Sequence, residues 1–305
     1  MDLGSILHTI FNFENYGELL ALVQNSIWAG AVLGLLGGLI GTFVMKRDLA
    51  FAVHGISELS FAGASFALLI GADIIFGSLA GSVAAALLLG LMGVRARDKN
   101  SIIGVIMPFG LGLGILFLAL YQGRAANKFG LLTGQIVSVD TVQLQVLAGT
   151  AVVVMLALAA IWRPLSFASV DPEMAEARGV PVRGLAIAFM VLLGVSVALS
   201  IQIVGALLVL ALLITPAAAA LRVTTSPRLV VLLSVVFAIT ATVGGILLAL
   251  GSRIPISPYV TTLSFLIYVV CRVIGNVRVK RGINGRIVRP HAAVGQAVED
   301  QAVAG

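Results

Sequence analysis

The feature that most constrains this chain is a succession of apolar stretches from Ile27 to Ile274, each about 20 residues long and separated by little polar sequence. A helix of that length crosses a hydrocarbon core of about 30 Å. Within the bilayer every backbone polar group has to be satisfied internally, so the choice lies between helices and a closed barrel. A barrel needs short segments of alternating polarity. Segments such as Val142 to Ile161 are apolar on every face, so the fold class expected is an all-α, polytopic transmembrane bundle. Composition agrees: 60% of the 305 residues are hydrophobic and 10% are charged, against about 25% charged in a soluble domain.

Spans are expected at about 22–45, 49–72, 74–94, 101–121, 142–162, 184–200, 203–221, 229–250 and 257–275. That makes about nine, with eight or ten as alternatives because Ser200 and Gln202 form a weak break and two adjacent spans there are short. Three regions follow: an N-terminal segment 1–21, a membrane domain 22–275 and a tail 276–305. The N-terminal segment carries Asp2, Glu14 and Glu18 and does not read as a signal peptide.

The net charge of +6 does not indicate nucleic acid, because the basic residues cluster at the ends of apolar segments. Lys46 and Arg47, then Arg95, Arg97 and Lys99, then Arg163, Arg178 and Arg183, then Arg222 and Arg228 fall on alternate connections and mark the cytoplasmic side of a cell membrane. Arg124, Lys128 and Arg253 are exceptions. The tail, with Arg278, Lys280, Arg281, Arg286 and Arg289, is expected in the cytoplasm, able to touch membrane lipids. Cys271 is the one cysteine, which leaves no thiolate cage or disulfide framework within the chain. There is no phosphate-cradling Gly-x-x-x-x-Gly-Lys-Ser/Thr run, so the chain carries no ATP site of its own.

Three features carry functional information. Asp171-Pro172-Glu173 begins a short capped helix: Asp171 suits the N-cap, Pro172 the first turn, Glu173 and Glu176 the positive end of the dipole, and Gly179 a left-handed C-terminal cap. It is suited to transmit force or to pack on the bundle. Gly205, Thr215 and Pro216 interrupt an apolar run, and the missing amide of Pro216 predicts a kink, static or moving. His54 and Glu58 lie about 10 and 16 Å along a helix that starts at the basic Lys46 and Arg47, four residues apart on one face. An ionisable side chain at that depth costs at least about 2.5 kcal/mol and is functional by default. The pair suits a cation, a proton relay or a buried hydrogen bond between helices. His8 and His291 lie in the terminal segments. Glycines four apart, Gly30, Gly34 and Gly38 and again Gly37 and Gly41, predict close helix packing.

The runs Val23–Gly41, Ser101–Leu118, Leu131–Asp140, Asp171–Val180 and Ile203–Ala220 resemble the permease subunits of zinc, manganese and iron ABC importers, the last two most specifically. The resemblance implies a type II importer permease that forms a homodimer. An ATP-binding subunit would dock on each copy, and an extracellular or periplasmic protein would deliver Zn²⁺, Mn²⁺ or Fe²⁺. It implies that Asp171 to Gly179 is the coupling helix and that His54 and Glu58 are the metal ligands. No cofactor would be held permanently, and ATP would be bound by the partner subunit alone. Where the family has Asp followed four residues on by His, this chain has His54 and Glu58. Where the family often reads Asp-Ile-Pro-Ser-Gly, it has Arg253-Ile254-Pro255-Ile256-Ser257, which makes Arg253 a candidate outer gate. A permease for siderophores or cobalamin, or a proton-coupled secondary transporter using Glu58, is the alternative.

Overall fold

The computed structural model describes residues 16–92, 99–123, 139–205, 208–250, 252 and 255–280. Twelve helices occur among them: α1 Tyr16–Leu22, α2 Gln24–Lys46, α3 Ala50–Ile70, α4 Ile74–Met92, α5 Lys99–Leu120, α6 Thr141–Val170, α7 Pro172–Ala177, α8 Val182–Val204, α9 Val209–Leu213, α10 Thr215–Val223, α11 Pro227–Ala249 and α12 Ile256–Lys280. Eight of these are long and apolar enough to cross a membrane. The fold is therefore the all-α polytopic bundle that the sequence predicts. One expected span differs. Region 203–221 forms no single helix but the short α9 and α10, while α8 continues past Ser200 and ends at Gly205, whose φ of +80° suits a glycine.

Consecutive helices α2 and α3 pack chiefly on other partners. Helix α2 lies against α11 and α6, α3 against α4 and α5, and α8 bridges α4, α6 and α3. The reason is visible in the glycines. Gly34 and Gly38 of α2 abut the backbone of α11 at Ile239 and Val235, where a Cβ would meet main-chain atoms 2.8 and 2.5 Å away. At this distance two α11 hydroxyls bond across the interface, Ser234 Oγ donating to the Gly38 carbonyl and Thr242 Oγ1 to that of Gly30, both at 2.9 Å. With no hydrophobic driving force between helices in lipid, such small-residue contact and interhelical hydrogen bonds supply the association.

The second glycine row of α2 receives the interrupted segment. Pro216 stands in the first turn of α10, where its missing amide costs nothing; the helical run is interrupted at Ile214, whose amide still donates to the Leu210 carbonyl and whose carbonyl accepts from the Ala218 amide, both at 2.9 Å. Carbonyls near the break turn toward neighbours: Ala211 O accepts from Ser264 Oγ of α12 at 3.3 Å, Leu212 O faces Gly37 and Leu213 O faces Gly41. The bundle's basic end is fixed by Arg47 donating to Ser169 Oγ at 3.2 Å and Arg278 donating to the Val223 carbonyl at 3.2 Å.

A Cβ at residue 41 would fall on the Leu213 carbonyl, and backbone cannot give way as a side chain can. Gly41→Ala should lower stability by about 1–3 kcal/mol. Gly112→Ala, where nothing lies within 4 Å, should cost nothing. Thermal unfolding of the two purified variants checks the difference; equal melting curves would contradict the packing account.

Candidate functional site

Helix α3 holds the one membrane-embedded cluster of ionisable groups among the described residues. Glu58 is eight residues from Ala50, so it stands about 12 Å along a 21-residue helix, close to half way. His54 Nε2 and Glu58 Oε1 are 3.7 Å apart, with side-chain exposures of 33% and 12%. That separation is too long for a hydrogen bond. It is of the order expected for two donors on one transition-metal ion, each about 2.0–2.2 Å from it. Imidazole nitrogen with carboxylate oxygen suits a borderline divalent ion. No third His, Cys, Asp or Glu joins them among the described residues.

The neighbouring helices explain how the carboxylate is held. Gly110 of α5 sits over the Glu58 backbone, where a Cβ would be 3.1 Å from its carbonyl carbon, and Gly114 abuts Phe61 one turn further on. On another flank Ser60 Oγ donates to the Ser78 carbonyl at 2.9 Å, and Gly63 packs on Gly77 and Gly81 of α4. Helix α3 is thus clamped through backbone contact, which fixes the direction of the His54 and Glu58 side chains. Of Gly110, Gly112 and Gly114, the first and third pack and the second meets nothing. The sequence reading missed the hydroxyls of this helix. Ser57, Ser60 and Ser65 are all buried, and Ser65 Oγ, two turns beyond Glu58 on the same face, is a buried oxygen without a hydrogen-bond partner among the described residues. Serines recurring within one apolar span were the available signal.

The second predicted element forms as its residues dictate. Asp171 Oδ1 accepts from the Met174 amide at 2.9 Å, Pro172 opens α7, and Gly179 takes φ +79° with its amide donating to the Glu176 carbonyl at 2.9 Å. The helix has six residues, shorter than two turns, because Arg178 and Gly179 already close it. Ala175 is buried while Glu173 and Glu176 face outward, so α7 rests on α6 and α8 by one side and offers an acidic one. It lies far along the chain from His54 and Glu58, but α8 touches both α7 and α3. Gly205, Thr215 and Pro216 bound the interrupted segment as described above. Arg253 lies outside the described residues.

The family model described as the ABC 3 transport family matches residues 20–275. The manganese transport system membrane protein MntC of Halalkalibacterium halodurans is 31% identical over 225 residues, 73% of this chain and 77% of that protein. The high-affinity zinc uptake system membrane protein ZnuB of Haemophilus influenzae is 24% identical over 249 residues, 80% and 94% of the two chains. Among solved structures, PsaBC from Streptococcus pneumoniae in complex with Fab superposes with a TM-score of 0.75 at 23% identity, covering 84% of this chain and 94% of that one, and so shares the fold.

The caps of α7 predict a helix that is formed before anything docks on it. Asp171→Ala should remove about 1 kcal/mol from it. Amide hydrogen exchange over 173–178 should accelerate about fivefold, with rates in α6 and α8 unchanged. Unaltered exchange in α7 would show that packing of Ala175, not the cap, holds the helix.

Proposed function

Because the chain belongs to the ABC 3 transport family, we propose that it is the membrane-spanning permease subunit of an ATP-driven importer of divalent transition-metal ions. The observation that carries this reading is the imidazole and carboxylate 3.7 Å apart, half way along a helix that crosses the membrane. The transported ion is Zn²⁺ or Mn²⁺, since the donor pair accommodates both and relatives are named for each. Two protein ligands suit a site through which an ion passes. They hold it weakly enough for release, and water completes its shell.

The residues divide the work as follows. Glu58 supplies the negative charge that makes a dehydrated cation tolerable at this depth. His54, one turn nearer the basic end and more exposed, takes the ion over as it leaves. Asp171, Pro172 and Gly179 keep α7 preformed, and Glu173 and Glu176 present charge to a separate ATP-binding subunit. A push on α7 travels through α8 into α3, and the break around Ile214 between Gly205 and Pro216 provides a place where the bundle changes shape. Alternating access then follows from two packings of the same helices. The basic end faces the cytoplasm, by the excess of Lys and Arg there. The permease unit covers about residues 22–275, with the segment 276–305 on the cytoplasmic side. Two copies pair as a homodimer, and a metal-binding protein delivers the ion from outside. Arg253 is the candidate outer gate, on sequence resemblance alone.

His54→Ala and Glu58→Ala should each reduce uptake of radioactive Zn²⁺ or Mn²⁺ at least about tenfold, the scale on which even outer-shell partners of a metal act. The double variant should add little, because ligands of one ion act as a unit. If the pair only braces helices, the melting temperature falls and uptake per folded molecule does not. A proton carrier would instead lose uptake in Glu58→Ala but keep it in His54→Ala. Glu173→Arg should leave the chain inserted and weaken copurification of the ATP-binding subunit; unchanged association and uptake would remove α7 from the docking contact.

A further inference from the structure

A groove of about 400 Å³ runs between α2 and α6, away from the His54 and Glu58 pair. Leu39 and the buried Leu158 form its floor, with the exposed Ala159 beside them, and Trp162 closes one end. Val152 and Leu156, 48% and 66% exposed, stand at its open side. Every lining side chain is aliphatic or aromatic. From Val152 to Trp162 the groove follows ten residues of α6, about 15 Å, which is half of a hydrocarbon core of about 30 Å. It has the depth of one leaflet.

The closed end carries positive charge. Lys46 ends α2, with its Nζ 5.5 Å from the Phe43 ring centroid, and that ring meets Trp162 edge to face at 4.7 Å. Arg163 follows Trp162 and is exposed. Neither cation has a carboxylate within 4 Å among the described residues, whereas the nearby Arg47 is already engaged by Ser169 and lies over the Phe189 ring. An apolar trough one leaflet deep, with two cations near its polar end that have no carboxylate partner among the described residues, matches the two parts of a lipid. Cationic side chains beside a bilayer attract anionic headgroups.

We propose that this groove binds one anionic phospholipid of the surrounding bilayer, an acyl chain lying along Leu39, Met155, Ala159 and Trp162 and the headgroup phosphate facing Lys46 and Arg163. Bound there, the lipid fills the seam between α2 and α6 beside the segment that leads into α7. The site is independent of the transported ion.

The test uses the full-length chain, purified in mild detergent, stripped of lipid and given dioleoyl phosphatidylglycerol or phosphatidylcholine in mixed micelles, with bound lipid counted by native mass spectrometry. One phosphatidylglycerol should be retained in preference to phosphatidylcholine. Lys46→Gln and Arg163→Gln should each lower its retention about fivefold, and Ala159→Phe, which fills the trough, should abolish it. A phosphatidylglycerol with a photoreactive acyl chain should label peptides containing Met155 or Leu156 in the unmodified protein, which locates the site even if Ala159→Phe does not fold. Equal retention of the two lipids, or labelling confined to other helices, overturns the proposal. So does crosslinking of a benzoylphenylalanine at residue 156 to a second copy of the chain, which would make the groove a protein contact.

Discussion

Direct backbone contact at glycines is the interaction on which this bundle depends. Helix α2 carries two glycine rows, and each admits a different neighbour to a distance that a methyl group would forbid. One row takes the backbone of α11 and aligns two cross-helix hydroxyl bonds; the other takes the Leu212 and Leu213 carbonyls at the end of α9, beside the interruption at Ile214. In a solvent as apolar as the side chains, contact of this kind replaces the hydrophobic drive that organises a soluble core. It also explains why a segment with interrupted hydrogen bonding survives at membrane depth. Its carbonyls face protein on both sides, with Ser264 supplying one donor, rather than lipid.

The same device serves α3. Gly63, Gly77 and Gly81 bring α3 and α4 together, and Gly110 and Gly114 bring α5 onto the Glu58 flank. A carboxylate is costly inside a bilayer unless it is paired or reaches water or an ion. Here the helices around it approach closely enough to keep lipid away, while the imidazole beside it remains partly open. Close packing and a partly accessible pair are what the proposed transient ion site requires: a fixed direction of approach, and no complete cage from which the ion could not leave.

Helix α8 touches several of the parts described above. It contacts α7 at one end and the α3, α4 and α6 walls along its length, and its termination at Gly205 hands the chain to the interrupted segment. Through α8, α7 is in indirect contact with the helix that carries His54 and Glu58 and with the interrupted segment.

Helix existence was legible in the residues themselves, because a 20-residue apolar run has one way to satisfy its amides in lipid. So were the caps of α7, since Asp171, Pro172 and Gly179 act on backbone groups only a few residues away, and so was the shared face of His54 and Glu58, which helical periodicity sets. The glycine rows of α2 announced close packing but not against what. Partner choice, by which α2 takes α11 rather than α3, depends on contacts some 200 residues apart in the chain and has no local signature. The surroundings of the interruption at Ile214 escaped for a related reason. Pro216 marks where the helix is disturbed, but the groups that meet the nearby carbonyls, Ser264 Oγ at Ala211 O and Gly37 and Gly41 at Leu212 O and Leu213 O, come from distant helices. The sequence alone determined which segments are helical and which groups are chemically exceptional; the tertiary structure decided which backbones touch, because that choice is made by complementary shapes brought together from distant parts of the chain.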